Sequence, residues 1–293
     1  MSIEFTRRSL LYVPGSSLKM IEKAQHVMAD GVIFDLEDAV SLSEKEQARE
    51  NVKNAISSYK GIKKEWIVRV NGMDTAFGIR DILAMAQVWP DALIVPKADE
   101  ASLIIADRLL TVLEREAGVS IGSVGLVPLI ETTAGIVRID AILGVTPRIN
   151  GVQLGAEDLT KEQGITRTQE GLEIQHARCV LAMAACAHGI DIFDTPFTGI
   201  DDLEGLRKDT VQAREIGFTG KTCIHPKHIE IINDVFSPEP EVVDRARRLV
   251  EAFDAAVREG KGACMFEGKM VDPPIAERAK KIIEKDCQIR KNA

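Results

Sequence analysis

Gly31-Val32-Ile33-Phe34-Asp35-Leu36-Glu37-Asp38 is the stretch that decides the fold. Its first residues are apolar without alternation, as in a strand buried on both faces, and its end is acidic. Ser43 and Glu46 then stand at capping-box spacing, and Ala48, Val52, Ala55 and Ile56 recur at helical intervals. Strand, polar turn and amphipathic helix make one β/α unit. A similar unit lies upstream, where Ser9–Pro14 reads as a strand and Met20, Ile21, Ala24, Val27 and Met28 share a helical face. Strand-like runs recur downstream at Glu65–Asn71, Ala92–Lys97, Ser123–Glu131, Gly151–Asp158, Ile190–Thr195 and Lys221–Pro226.

Eight units in succession predict an α/β fold, a TIM (β/α)8 barrel with a C-terminal helical extension. The alternative is an open doubly wound sheet. Eight units spread over about 235 residues match the barrel's usual length of roughly 250. No G-x-G-x-x-G follows the first strand, which weakens a dinucleotide-binding reading. From Pro238 the rhythm changes: Glu239–Glu259 reads as one charged helix and Gly260–Lys269 is glycine-rich. Val271-Asp272-Pro273-Pro274 then opens a last helix with Ala276, Ala279, Ile282 and Ile283 on one face. The expected division is a barrel over 1–237 and an extension over 238–293 that caps the mouth or reaches a neighbouring subunit.

Composition narrows the function. The chain has 293 residues, a formal net charge of −8 and a pI near 5.3. A general nucleic-acid binder would need a basic face, whereas an anionic small substrate needs only a local basic pocket or a bound cation. No signal peptide or membrane span is read at the N-terminus. The five cysteines form no C-x-x-C pair, which suits a reduced, cytoplasmic compartment.

In a TIM barrel the chemistry sits at the C-terminal ends of the strands. Here those ends read Asp35-Leu36-Glu37-Asp38, Arg69-Val70-Asn71, Pro96-Lys97, Glu131-Thr132, Glu157-Asp158, Asp194-Thr195 and His225-Pro226. A single acidic residue at such a place is commonly a helix cap. Several converging on one opening repel unless a cation sits among them. Mg²⁺ held by one or two carboxylates, waters and substrate oxygens meets that need. No His/Cys cluster has zinc spacing and no G-x-S-x-G elbow is present. Lys97 as a Schiff-base nucleophile is the lesser option, because it leaves the carboxylates without a purpose.

These residues carry a family resemblance. Arg8-Ser9-Leu10-Leu11-Tyr12-Val13-Pro14-Gly15, Phe34-Asp35-Leu36-Glu37-Asp38-Ala39-Val40 and Val68-Arg69-Val70-Asn71-Gly72 resemble the citrate lyase β-subunit family. So do Pro128–Thr132, Leu154–Leu159, Gly220–Pro226 and Gly268–Pro273, in the family's order and nearly end to end. The family includes citramalyl-CoA and malyl-CoA lyases, within the wider HpcH/HpaI-type group of Mg²⁺-dependent barrel aldolases. The resemblance implies Glu131 and Asp158 as metal ligands and Arg69 as the substrate-binding arginine. It implies Asp35, Glu37 and Asp38 as the acidic motif around the metal's water shell; Lys97, at the end of its own strand, is a further candidate to bind the substrate. It implies Asp272 as an acid/base entering a neighbour's active site, hence a trimer or hexamer. Arg8, Lys221 and His225 would lie near the CoA arm. One departure bears on the substrate: the family often has Val-Tyr-Ser after Phe193-Asp194-Thr195, where this chain has Pro196-Phe197-Thr198.

The expected reaction is retro-Claisen cleavage of a 3-hydroxyacyl-CoA thioester to a 2-keto acid and acetyl-CoA. One alternative is the β-subunit of a citrate lyase complex, working with α and acyl carrier subunits on citryl-acyl carrier protein. A thioester hydrolase and a non-catalytic thioester-binding or assembly protein are the others. Each residue also has a structural competitor. Glu131 could cap the helix near Thr133, and Asp158 could be an N-cap with Glu157 as the ligand. Arg69 could merely pair with Asp35 or Glu37, and Asp272 could cap the last helix. Gly15-Ser16-Ser17 could hold a CoA phosphate or simply begin a helix.

Overall fold

The computed structural model describes residues 5–292. Eight parallel strands hydrogen-bond in sequence order and close into a barrel, with β1 pairing with both β2 and β8. They are β1 (Ser9–Pro14), β2 (Gly31–Asp35), β3 (Glu65–Arg69), β4 (Ala92–Val95), β5 (Gly125–Ile130), β6 (Gly151–Leu154), β7 (Asp191–Asp194) and β8 (Gly220–Cys223). The helices between them are α1 (Leu18–Ala24), α2 (Lys45–Ser58), α3 (Gly78–Met85), α4 (Glu100–Glu116), α5 (Thr133–Val137), α6 (Ile139–Leu143), α7 (Ala156–Gln163), α8 (Gln175–His188) and α9 (Leu203–Ile216). α10 (Ile229–Phe236) follows β8.

Side chains alternate along each strand, so one set fills the barrel and the other packs under the helices. Leu10, Ile33, Ile67, Ala92, Ile94, Val127, Leu129 and Phe193 form the buried interior, with Tyr12 packed against it. Below this layer Arg7 plugs the floor, reaching Glu65, Asp191 and the Asn150 carbonyl. Gly220 is required there, because a Cβ would come within 1.9 Å of the Arg7 carbonyl oxygen. Above the layer the inward positions turn polar, with Asp35, Arg69, Glu131 and Gln153, and this end becomes the site.

Every strand after the first ends sooner than its apolar run predicts. The backbone ladder continues as single bonds, Leu36 N to Arg69 O and Gly155 N to Ile130 O, each 2.9 Å, while the chain already turns outward. The capping box expected from Ser43 and Glu46 does not form. A 3-10 turn over Leu42–Glu44 leads into α2, and Glu46 pairs with Arg49 instead. α1 ends at Ala24, so only Ile21 and Ala24 of the expected face are buried within it, and Met28 is exposed.

The chain divides into two compact units. One is Arg7–Asn233, and the other comprises the described residues from Asp234 onward with Phe5 and Thr6. The first ends a few residues before the boundary drawn at 237. In the second, α11 (Pro240–Arg258) and α12 (Pro273–Asn292) pack with a hairpin of β9 (Cys264–Phe266) and β10 (Lys269–Val271). Its core is Ala246, Leu249, Phe253, Val271, Ala276 and Ala279. The hairpin was not expected. Its turn, Glu267-Gly268, has positive φ at both residues, the geometry that matches strand twist in a two-residue loop.

Candidate active site

Asp35 ends β2 with a carboxylate that accepts four hydrogen bonds. Two come from the Glu37 and Ala39 amides, at 2.9 and 3.1 Å, and bend the chain away from the strand. Two come from Arg69, Nε at 2.7 Å and Nη2 at 2.6 Å. A bidentate pair of this kind fixes the guanidinium plane. The third guanidinium nitrogen, Nη1, lies 3.1 Å from Glu37 Oε2 and 3.8 Å from Asp38. Tyr12 supports the guanidinium with its ring 5.0 Å away and donates its own hydroxyl to Gln153 at 2.9 Å.

Glu131 follows β5 and points inward. Thr132 caps α5, accepting from the Gly135 amide, so Glu131 is released from that duty. Gly155 makes room for it: a Cβ there would stand 2.7 Å from Glu131 Oε2. Asp158 comes from the first turn of α7, whose N-cap is Gly155, so it is not a capping residue. Glu157 turns to solvent and pairs with Arg167. Lys97 lies among the carboxylates, its ammonium 2.9 Å from Asp158, 3.6 Å from Glu37 and 3.9 Å from Glu131. Its amide donates to Glu131 Oε1 at 2.9 Å.

The electrostatics follow from burial and pairing. Burial pushes the Glu131 carboxyl up to about 7 against the pull of the Lys97 amide, with Glu37 adding to the rise. Burial also raises Glu37, offset in part by Arg69. Asp158 is held below the usual carboxylate range by its hydrogen bond with Lys97. Glu37 Oε2 is buried and has no partner with hydrogen-bond geometry. A cavity of about 490 Å³ opens over these groups, lined by Tyr12, Asp35, Arg69, Glu131, Gln153 and Asp158 among others. The donors are all oxygen, and Glu37, Glu131 and Asp158 converge from separate elements on the Lys97 ammonium. Among the described residues no cluster of three or more metal-ligating side chains is present. Carboxylate oxygens suit a hard cation such as Mg²⁺, which keeps several waters and takes one or two carboxylates.

A model of HpcH/HpaI aldolase/citrate lyase proteins matches residues 8–226. The chain belongs to that family. The family is one of carbon–carbon lyases. The citrate lyase subunit beta of Escherichia coli (strain K12) is 37% identical over 283 residues, covering 96% of this chain and 93% of that protein. A (3S)-malyl-CoA thioesterase of Cereibacter sphaeroides is 40% identical over 265 residues, covering 90% and 89%. The solved structure of CitE from Mycobacterium tuberculosis, in complex with magnesium, acetoacetate and coenzyme A, is 30% identical with a TM-score of 0.75. It covers 95% of this chain and is itself covered to 97%.

Within this HpcH/HpaI aldolase/citrate lyase chain the barrel brings together Asp35, Glu37, Asp38, Arg69, Lys97, Glu131 and Asp158. Asp35 lines the cavity, but its oxygens are committed to Arg69 and to the turn, which makes it a support. Two residues expected near the CoA arm lie away from the mouth. Arg8 precedes β1 and clasps Asp30 through its backbone and guanidinium, at the opposite end of the barrel, about 20 Å of strand from the mouth. Lys221 faces away from the interior and is fully buried, bonded to Asp194, Asp209 and the Thr195 carbonyl. Asp194, counted among the strand-end carboxylates, belongs to the same buried group and binds Arg178. His225 is at the mouth end of β8, where its ring accepts from the Lys227 amide. Asp272 lies in the second unit and takes the Ile275 amide at 3.3 Å, the capping bond that was its structural alternative. Sequence reasoning missed Tyr12 and Gln153. The inward parity of Tyr12 with Leu10 was the available signal.

Proposed function

We propose that this protein is a Mg²⁺-dependent carbon–carbon lyase. It splits a 3-hydroxyacyl-CoA thioester of the malyl-CoA or citramalyl-CoA type into a 2-keto acid and acetyl-CoA. The observation that carries the reading is the placement of Glu131 and Asp158 beside Arg69 around one cavity. Bound by Glu131 and Asp158, the cation supplies Lewis acidity to the substrate hydroxyl and to the keto oxygen it becomes. Asp272 of a neighbouring copy, the proposed acid/base, takes the hydroxyl proton, the carbon–carbon bonding pair moves onto the carbon beside the thioester, and an enolate forms. The Arg69 guanidinium, held flat by Asp35 and Tyr12, donates to that developing charge. A proton then returns to the enolate carbon. Asp272 of a neighbouring copy is the proposed donor, which requires a homo-oligomer, a trimer or hexamer.

The test is keto-acid release from citramalyl-CoA, malyl-CoA and citryl-CoA, with and without Mg²⁺, by wild type and Glu131→Gln. Metal-dependent release, reduced about 10³-fold in the variant, supports the lyase. No release from any of the three refutes it for CoA thioesters. Release from citryl-acyl carrier protein alone would then assign the chain to a citrate lyase complex, the reading favoured by its β-subunit relatives. A second reading rests on the thioesterase relative: hydrolysis of the thioester at the same site. Free CoA appearing from malyl-CoA without glyoxylate distinguishes it.

A further inference from the structure

Among the described residues only Trp89, Lys97 and Glu267 have positive φ without being glycine. Glu267 is explained by its hairpin turn. Lys97, at φ +45°, is not in a hairpin. Its left-handed backbone follows β4 and turns its amide onto Glu131 Oε1. Glycine would deliver that amide without the steric penalty of a side chain. What the lysine adds is its ammonium, and the ammonium lies within 4 Å of Glu37, Glu131 and Asp158. Strain retained at such a place points to a use for the side chain.

We propose that Lys97 competes with the divalent cation for Glu131 and Asp158, neutralising these carboxylates until the cation displaces it. The inference rests on reading Glu131 and Asp158 as cation ligands. Mg²⁺ needs its ligand oxygens at about 2.0–2.1 Å, and an ammonium 2.9 Å from Asp158 Oδ2 would share an oxygen with it. Two cations on the same oxygens repel, so one must leave. Lys97 can, because its side chain is half exposed and four methylenes long. Arg69 cannot, being held at both edges by Asp35 and Glu37. Of the two cations between the carboxylates, Arg69 is therefore fixed and Lys97 exchangeable, while Lys161 reaches Asp158 only from the surface, at 3.7 Å. Loading the cation frees an ammonium at the rim of a cavity that receives an anionic substrate.

Calorimetric titration of the chelator-treated full-length protein with Mg²⁺ tests this, on wild type, Lys97→Met, Lys97→Gly and Lys97→Arg. The Met and Gly variants are expected to bind Mg²⁺ about tenfold tighter at low ionic strength, and Arg within about twofold of wild type. In chelator the Met variant should melt below wild type, and saturating Mg²⁺ should close the gap. A lysine that merely supports the fold would leave the gap open. Equal or weaker binding by Met and Gly overturns the inference alone. Absence of Mg²⁺ binding by wild type overturns both the inference and the metal site on which it rests.

Discussion

Two clusters of charge flank the end of β7, and they are built on opposite principles. Behind β7 and β8, Arg178 and Lys221 face Asp194 and Asp209, two cations against two anions, all buried. Each charge has several partners: Arg178 spans both carboxylates, and Lys221 adds the Thr195 carbonyl. Burial works against the Asp209 carboxylate, yet Lys221 and Arg178 hold it below its usual range. At the mouth, Asp35, Glu37, Glu131 and Asp158 face Arg69 and Lys97, with the exposed Lys161 3.7 Å from Asp158, and burial leaves Glu131 raised. A closed cluster is complete without a ligand. An open one stays short of positive charge, and that shortage is what a cation and an enolate-forming reaction can use.

The largest effect is expected from breaking the closed cluster. Arg178→Met leaves Asp194 and Asp209 undercompensated in a dry place, and the free energy of unfolding in urea should fall by about 3–5 kcal/mol. Saturating Mg²⁺ should not restore it. A loss below about 1 kcal/mol would erase the distinction between the clusters. Next comes Arg69→Lys at the open cluster. One charge is kept, but the two-pronged bond to Asp35 and the donor facing the cavity are lost. Steady-state kinetics should show kcat/KM down about 10²–10³-fold, with unfolding free energy down by about 1–3 kcal/mol because the lost hydrogen bonds are buried.

The smallest effect sharpens the comparison through pH. Burial lifts Glu131 from the usual carboxylate value of 4.5 to about 7, so the folded protein holds that proton more tightly than the unfolded chain does. With the cation chelated, this contribution to stability is fully present below pH 4.5 and declines as pH rises through about 7. Cation binding expels the same proton, so Mg²⁺ affinity should climb about tenfold per pH unit below pH 7 and level off above it. Calorimetry across that window reads the slope, and Glu131→Gln should flatten it. A slope unchanged in the variant would place the coupled proton elsewhere.

The eight-unit rhythm, the barrel and the change of character after β8 were legible in the sequence. Apolar runs and helical spacing are local consequences of burial, and eight of them in alternation leave few ways to close. Glu131, Asp158 and Arg69 were legible as strand-end residues carried by a family resemblance. The parity of strands and the ends of ladders were not. Asp194 read like a site residue because it stands at a strand end, and Lys221 because its motif resembles the family's CoA region, yet each points outward to α8 and α9. Asp35 read like a binding residue, although four donors already saturate it. Sequence by itself determined which residue types collect at the mouth, since strand ends and turns are written in local pattern. Only the tertiary structure decided which charges are spent on each other and which remain for a ligand. That depends on which face of the sheet a side chain leaves and on how many partners close around it, and neither is set by neighbours in the chain.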